Sequence, residues 1–359
     1  MKKKYLHNKM KNTQTKFCFI VANYFELKEV KTREIILIGN VVWHLQQPNF
    51  LNNYLIWWIE YVMHDMRWEN LKKVLSGNLI IIGGAEDKEG KKEILKRVCD
   101  SIDKSKDTLL IATIATDYPK EAANKYKEVF GELEVKNIKV LDISERTEAS
   151  DDMNVELIRD SSLIFFTGGD QLKITSLIGG TPVYDALEEA WKNGAFIVGT
   201  SAGASVMSDT MIVQGEDDDD PRKCTLKMSP GLGLIKDVII DQHFAQRGRI
   251  GRLLTGIAQN PEVLGIGIDE NTGIVVNQSG MIEVIGEGAV YFIDGSAITY
   301  TNVSELYADD ILSMHNVKLH VLTDGNKFDL IKKSPFEEEK FNHEDNTKEN
   351  IWRPKYLFS

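Results

Sequence analysis

The sequence predicts an α/β protein: a three-layer sandwich whose mostly parallel sheet is covered by helices on both faces, with antiparallel hairpins at one edge. Two patterns carry this expectation. From Gly77 to Val198, short unbroken apolar runs alternate with charged stretches of helical periodicity, as expected of strands buried on both faces and joined by crossover helices. Beyond Asp241 the apolar runs crowd together with Gly and Asn turns between them, which suits hairpins. Composition agrees: 359 residues, 42% hydrophobic and 27% charged, can bury the core of one large or two medium domains and are too apolar for a disordered chain.

Taken in order, Asn78–Ile82 is the first strand, ending in Gly83-Gly84 before the periodic stretch Lys88–Ile102. Thr108–Ala115 precedes the helical Lys120–Phe130, and Ile138–Ile143 follows. Ser162–Thr167 ends in Gly168-Gly169 and leads through two helical stretches, Gln171–Leu177 and Val183–Lys192, to the strand Ala195–Val198. After the apolar run Val238–Ile240 come the closely spaced strands Leu264–Ile268, Gly273–Asn277, Met281–Ile285 and Ala289–Ile293. This α/β domain spans 77–333, and 334–359 is a polar tail.

The opening segment has another character. Residues 1–76 carry 12 Lys+Arg against 6 Asp+Glu and four of the six tryptophans, whereas the remainder carries 31 against 48. That change of sign marks a boundary near Ser76-Gly77. Phe17–Ala22 is a short apolar patch without a small-residue cleavage site, so it does not read as an export signal. Leu51–Met63 is interrupted by Glu60 and falls short of the roughly 20 residues a membrane span needs. An amphipathic interfacial helix, a weakly structured extension, and a native start at Met66 that would leave most of the segment out of the chain remain as readings.

The net charge of −11 argues against nucleic acid as a partner. Cys18, Cys99 and Cys224 are too few and too scattered for a disulfide framework or a zinc site, which points to a reducing, cytoplasmic compartment. No metal or organic cofactor is expected.

Gly199-Thr200-Ser201-Ala202-Gly203 matches G-x-S-x-G where a buried strand should turn into a helix. Such a turn holds its serine in a strained conformation with the oxygen exposed, and the small neighbours allow strand and helix to approach closely. A tight turn with an incidental serine would share the pentapeptide, but its place directly after an apolar strand favours a nucleophile. Among the histidines, His243 stands out, because Asp241-Gln242-His243 ends an apolar run on the strand edge where ligands bind in open α/β sheets. A carboxylate should orient that imidazole. Glu270 and Asp269 compete for the task, and adjacent residues point oppositely. Gly169 and Ala202 can offer N–H groups to an oxyanion. Gly83-Gly84-Ala85-Glu86 reads only as a turn lining the cleft, since it lacks phosphate-loop spacing. Arg247, Arg249 and Arg252 form a basic cluster suited to substrate carboxylates, and Glu216–Asp220 is an acidic run able to attract cationic groups.

Five stretches together are more specific than any one of these motifs: GNLIIIGGAEDK (77–88), FFTGGDQLKIT (165–175), GTSAGAS (199–205), IDQHFAQRGRIGRL (240–253) and GIGIDENTG (265–273). Through them the chain from about Gly77 to Lys332 resembles the cyanophycinases of the S51 serine peptidase family. The resemblance implies a flavodoxin-like sandwich related to class I glutamine amidotransferases, and a Ser-His-Glu arrangement at Ser201, His243 and Glu270. It also implies a pocket at Gln171, Asp241, Gln242, Arg247, Arg249 and Arg252, and a homodimer. The substrate implied is cyanophycin, a poly-aspartate backbone bearing arginine on each side chain, released as β-Asp-Arg dipeptides. The extension before Gly77 departs from the family pattern without touching a motif. Three other readings share part of the pattern: an aspartyl dipeptidase of the same family, an α/β-hydrolase esterase, and a non-catalytic binding module on an amidotransferase-like scaffold. The esterase would need the order Ser, acid, His, and so His315 or His320.

Overall fold

The computed structural model describes residues 75–217, 220–223, 226–307 and 310–336. Nearly all of the basic extension and of the polar tail, with the expectations placed on them, lies outside the described residues.

Apolar strands pair side by side into a parallel half-sheet. Its members are β1 (Leu79–Ile82), β2 (Thr108–Ala112), β3 (Asn137–Leu141), β4 (Leu163–Phe166) and β5 (Phe196–Thr200), in the order β3-β2-β4-β5-β1. Every residue of β1 and β4 is buried, which is why their sequences run unbroken instead of alternating. Leu79 and Ile81 enter one core, while Ile80 and Ile82 enter the other.

Connection order decides which helix covers which face. From β1 through β2 to β3 the chain moves one way along the sheet, and from β3 through β4 to β5 it returns. Right-handed crossovers therefore put the helices of the two legs on opposite faces. α1 (Glu93–Cys99) and α2 (Pro119–Glu132) pack on one face through Leu95, Val98, Tyr126 and Phe130. α3 (Asp152–Arg159), α4 (Gln171–Ile178) and α5 (Pro182–Lys192) pack on the other through Ile158, Ile174 and Leu187. Local signals start these helices: Asp170 accepts from the Leu172 N–H at 2.8 Å ahead of α4, and Pro182 fills the first turn of α5. β5 continues into the short helix α6 (Ala202–Ser205). Adjacent, parallel β1 and β5 thus send their following segments to opposite faces and open a crevice at their C-terminal ends.

The closely spaced late strands divide. After the hairpin pair β6 (Thr210–Gln214) and β7 (Lys227–Pro230), β8 (Val238–Gln242) pairs in parallel with β9 (Leu264–Ile268). β10 (Thr272–Val276) and β11 (Met281–Gly286) extend the main sheet beyond β1 as antiparallel edge strands, as expected of hairpins. β12 (Val290–Asp294) instead pairs with β9. After the two-stranded β13 (Tyr300–Thr301) and β14 (Met314–His315), β15 (Lys318–Leu322) completes a separate sheet in the order β15-β12-β9-β8. β16 (Lys327–Asp329) and β17 (Ser334–Pro335) finish the main sheet. Gly273–Asn277 and Met281–Ile285 therefore close the edge, whereas Leu264–Ile268 and Ala289–Ile293 do not. The reason is two-sided burial. All five residues of β8 and of β9 are buried: Ile240 and Ile266 face the main sheet's core, and Ile239 lies under Leu253 and Ile257 of α7 (Ile250–Gln259).

Phe292 of β12 and Phe328 of β16 stack at 3.9 Å between ring centres, fastening the second sheet to the first. Both rings are fully buried. Truncation as Phe292→Ala should cost about 3–5 kcal/mol, read as a lower urea midpoint at unchanged slope; a midpoint equal to that of the parent would show that the two sheets are fastened elsewhere.

Candidate active site

Ser201 sits where β5 turns into α6, with φ 54° and ψ −110°. A serine held there costs about 1–3 kcal/mol and persists only where its surroundings over-determine it. They do. Its N–H donates to the Ile82 carbonyl at 3.0 Å, and its own carbonyl accepts from the N–H groups of Ala204 and Ser205. The turn is also tight, since a Cβ at Gly203 would lie 2.4 Å from the Phe166 carbonyl oxygen. Ser205 is buried in the helix behind.

His243 follows the last residue of β8, and its N–H donates to the Gly83 carbonyl at 2.8 Å, tying the second sheet to the end of β1. Its Nε2 lies 2.9 Å from Ser201 Oγ, and its Nδ1 lies 2.6 Å from Glu270 Oε1. With Nδ1–H donating to the carboxylate, Nε2 is the acceptor for the serine hydroxyl. The competition between the two acids is resolved by direction. Glu270 turns to the imidazole, while Asp269 accepts from the N–H groups of Ala245 and Ala289 and fixes the loops around it. Burial pushes the His243 imidazole below its ordinary 6.5; the Glu270 hydrogen bond opposes this, and the nearby charge of Arg247 reinforces it. His315 and His320, which an esterase order would require, lie elsewhere: His315 against Tyr300 and His320 edge-on to Phe328.

Gly168 and Gly169 follow β4 and reach the serine. A Cβ at Gly168 would lie 3.3 Å from that of Ser201. Gly169 has φ 143°, and a Cβ there would lie 2.2 Å from the Ala115 carbonyl oxygen, so only glycine fits. Ala202 opens α6, where an N–H has no intrahelical acceptor. Two backbone segments thus frame the space beside Ser201 Oγ.

The remaining expected pocket residues part company. Gln242 Oε1 lies 3.4 Å from Ser201 Oγ, and Gln171 at the start of α4 donates to the Ile212 carbonyl at 2.7 Å. Arg247 is exposed. Arg249 and Arg252 are not open forks, because both are buried in an ion network. Arg252 Nε donates to Asp241 Oδ2 at 2.7 Å, and its terminal nitrogen donates to Oδ1. Arg249 donates to the Gln242 carbonyl at 2.6 Å and to Asp217 at 2.8 Å, while Arg252 reaches Asp217 at 3.2 Å. Asp217, from the acidic run, is therefore a partner of these arginines. Its neighbours 218 and 219 lie outside the described residues.

One buried acid beside the serine turn has no place among the residues the sequence singles out. The loop after β1, read as a cleft-lining turn, carries Glu86, whose buried carboxylate meets Thr200, Tyr126 and Lys88. Its sequence signal is an acidic pair, Glu86-Asp87, close behind a fully apolar strand.

The model of peptidase family S51 matches residues 79–284. The chain is similar to the cyanophycinase of Geminocystis herdmanii, 39% identical over 259 residues, covering 72% of this chain and 95% of that protein. It is also similar to the cyanophycinase of Nostoc sp., 37% identical over 71% of this chain and 86% of that protein. A third relative, from Thermosynechococcus vestitus, also bears the name cyanophycinase and is 32% identical over 71% of this chain and 79% of that protein. The fold is similar to the crystal structure of a peptidase from an acI-B1 Actinobacterium, at TM-score 0.53 and 21% identity, covering 72% of this chain and 98% of that one.

Because a base must be neutral to accept a proton, activity should rise with pH as the imidazolium deprotonates. The acid limb of kcat/KM should have its midpoint below 6.5. Arg247→Ala should move that midpoint upward by removing a nearby positive charge, and a limb that stays in place would show that Arg247 does not act on the imidazole. Arg252→Ala should behave differently, since it removes both hydrogen bonds to the buried Asp241 carboxylate and leaves it only Arg249 at 3.6 Å. A loss of about 3–5 kcal/mol in urea unfolding is expected, against less than about 0.5 kcal/mol for Arg247→Ala.

Proposed function

The chain belongs to peptidase family S51, and we propose that it is a serine exopeptidase that hydrolyses cyanophycin, multi-L-arginyl-poly-L-aspartate, to β-Asp-Arg dipeptides. The observation that carries the reading is the hydrogen-bonded chain from Ser201 Oγ through His243 to Glu270 at the mouth of the β1/β5 crevice. Ser201 Oγ attacks the scissile backbone carbonyl as His243 Nε2 takes its proton. Glu270 holds the imidazole in the tautomer this requires and balances the imidazolium that forms. The oxygen of the tetrahedral intermediate is received by the Gly169 and Ala202 N–H groups. His243 then gives its proton to the departing amine. Water, activated by the same nitrogen, attacks the acyl-enzyme and frees Ser201.

Substrate choice follows from charge. Cyanophycin carries both carboxylates and guanidinium groups. The exposed cation of Arg247, beside His243, suits the first, and the acids of the 216–220 run other than Asp217, which Arg249 and Arg252 hold, suit the second. Gln171, Gln242 and the network of Asp241, Arg249 and Arg252 shape the pocket between them. The reading extends to a homodimer in the cytoplasm, the assembly and compartment that the family resemblance and the scattered cysteines favour; no helix among the described residues is long and apolar enough to cross a membrane.

Incubating the purified protein with cyanophycin should release β-Asp-Arg, identified by mass. Ser201→Ala should lower the release rate by at least about 10³-fold with an unchanged thermal melt. Soluble products of another mass, or release that survives the substitution, would sink the proposal.

A further inference from the structure

The proposed reaction does not use the loop Gly83–Asp87, yet that loop touches all three members of the relay or their immediate neighbours. Glu86 is its centre. The carboxylate is 1% exposed and has a partner on each oxygen. Oε2 accepts from the Thr200 hydroxyl at 2.5 Å, and Oε1 accepts from the Tyr126 hydroxyl and lies 2.7 Å from Lys88 Nζ. Burial and the adjacent carboxylate push the Tyr126 phenol far above its ordinary range, so it remains a donor. The Lys88 ammonium also sits 5.1 Å over the Tyr126 ring.

A buried carboxylate of this kind costs several kcal/mol in desolvation, and a plain apolar contact would stabilise the fold as well or better. Its placement suggests another use. Thr200 is the residue before Ser201, and its backbone pairs with Ile82 of β1. In the same loop the Gly83 carbonyl accepts from the His243 N–H at 2.8 Å. The Gly84 carbonyl accepts from Asn271, directly after Glu270, at 2.9 Å, and Asp87 N–H donates to the Asn271 side chain at 2.9 Å. A Cβ at Gly84 would lie 2.4 Å from His243 Cε1, so the imidazole rests on the loop backbone.

We propose that Glu86 is a positioning residue: by clamping the Thr200 hydroxyl it holds Ser201 in its strained turn and keeps the nucleophile in register with the loop that seats His243 and Glu270. This rests on the reading of Ser201 as nucleophile. Glu86 and Thr200 are buried behind the turn, so loss of the clamp lowers turnover without weakening substrate binding. A displacement of about 1 Å at the reacting oxygen can cost about 10²-fold in rate.

Four variants test it: Thr200→Val, Thr200→Ser, Glu86→Gln and the double variant Glu86→Gln/Thr200→Val. Thr200→Val keeps the shape and removes the hydroxyl; Thr200→Ser restores the hydroxyl. The readouts are kcat and KM on cyanophycin, and the rate at which a fluorophosphonate labels Ser201, which needs no natural substrate. Thr200→Val should lower kcat and the labelling rate together by about 10- to 100-fold, with KM within about twofold. Thr200→Ser should recover most of both, and the double variant should lose no more than the worse single variant. Wild-type turnover in Thr200→Val, equal damage in Thr200→Ser, or losses that multiply in the double variant would overturn the clamp. If Glu86→Gln does not fold, the Thr200 pair decides alone. Wild-type protein that labels at Ser201 but releases no dipeptide defeats the substrate reading, and the labelling rates still judge the clamp. Wild-type protein that does not label at Ser201 defeats both.

Discussion

The positive φ of Ser201 is the constraint around which the molecule is arranged. A serine leaves that conformation unless both sides of its turn are held. β5 is gripped along its length by β1 on one side and β4 on the other, and the Ser201 N–H is captured by the last residue of β1. Those neighbours are buried on both faces, with Leu79 and Ile81 in one core and Ile80 and Ile82 in the other, so a one-residue slip would exchange the side chains around which each core is packed. Burial in the two cores is thus what keeps the strained turn strained. The same connection order that fills both cores makes β1 and β5 part to opposite faces, so the opening and the strain coincide.

The proposed base and the carboxylate that orients it arrive from another sheet, and this imposes a second requirement. His243 and Glu270 follow the ends of β8 and β9, whose parallel pairing sets Gln242 beside Ile268 and brings the two following segments together. That pair must be registered against β1 and β5. The Gly83 carbonyl does this by holding the His243 backbone, while Arg249 braces the end of β8 from within its own layer, holding the Gln242 carbonyl and sharing Asp217 with Arg252. The Arg252–Asp241 pair therefore contributes geometry. Buried ions seldom add stability over apolar side chains, but each of these hydrogen bonds has one acceptable direction.

What could be read in the sequence, and what could not, follows sequence distance. The β5 strand, its G-x-S-x-G turn and the strand end at His243 are local patterns of periodicity and small residues, and the described elements fall where those patterns lie. The choice between Asp269 and Glu270 needed the direction of one side chain, which alternation leaves open until register is known. Arg249 and Arg252 looked like an open cluster because their partners stand at Asp217 and Asp241, on other elements. Glu86 was less legible still, with its acceptor role defined by Thr200 and Tyr126, 114 and 40 residues away. The separate sheet of β8, β9, β12 and β15 was hidden for a related reason: a short apolar run shows that a strand is buried, and does not show against which neighbour.

The unequal burial of the relay bears on its chemistry. The His243 side chain is 10% exposed and that of Glu270 is 36% exposed. Water around the carboxylate screens its attraction for an imidazolium, while the imidazole pays most of its own desolvation. Arg247 and Arg249 add repulsion from the other side, so the balance falls toward the neutral ring. Deeper burial of Glu270 would strengthen its pull on an imidazolium and so work against the neutral ring. A fully solvated Glu270 would not fix the ring's tautomer. In the proposed reaction this balance favours a neutral imidazole before attack and still leaves the Glu270 carboxylate 2.6 Å from Nδ1 when the proton arrives from Ser201. In the proposed reaction that ordering, neutral first and stabilised second, is what differential stabilisation of the transition state demands of an acid placed at the rim of the cleft.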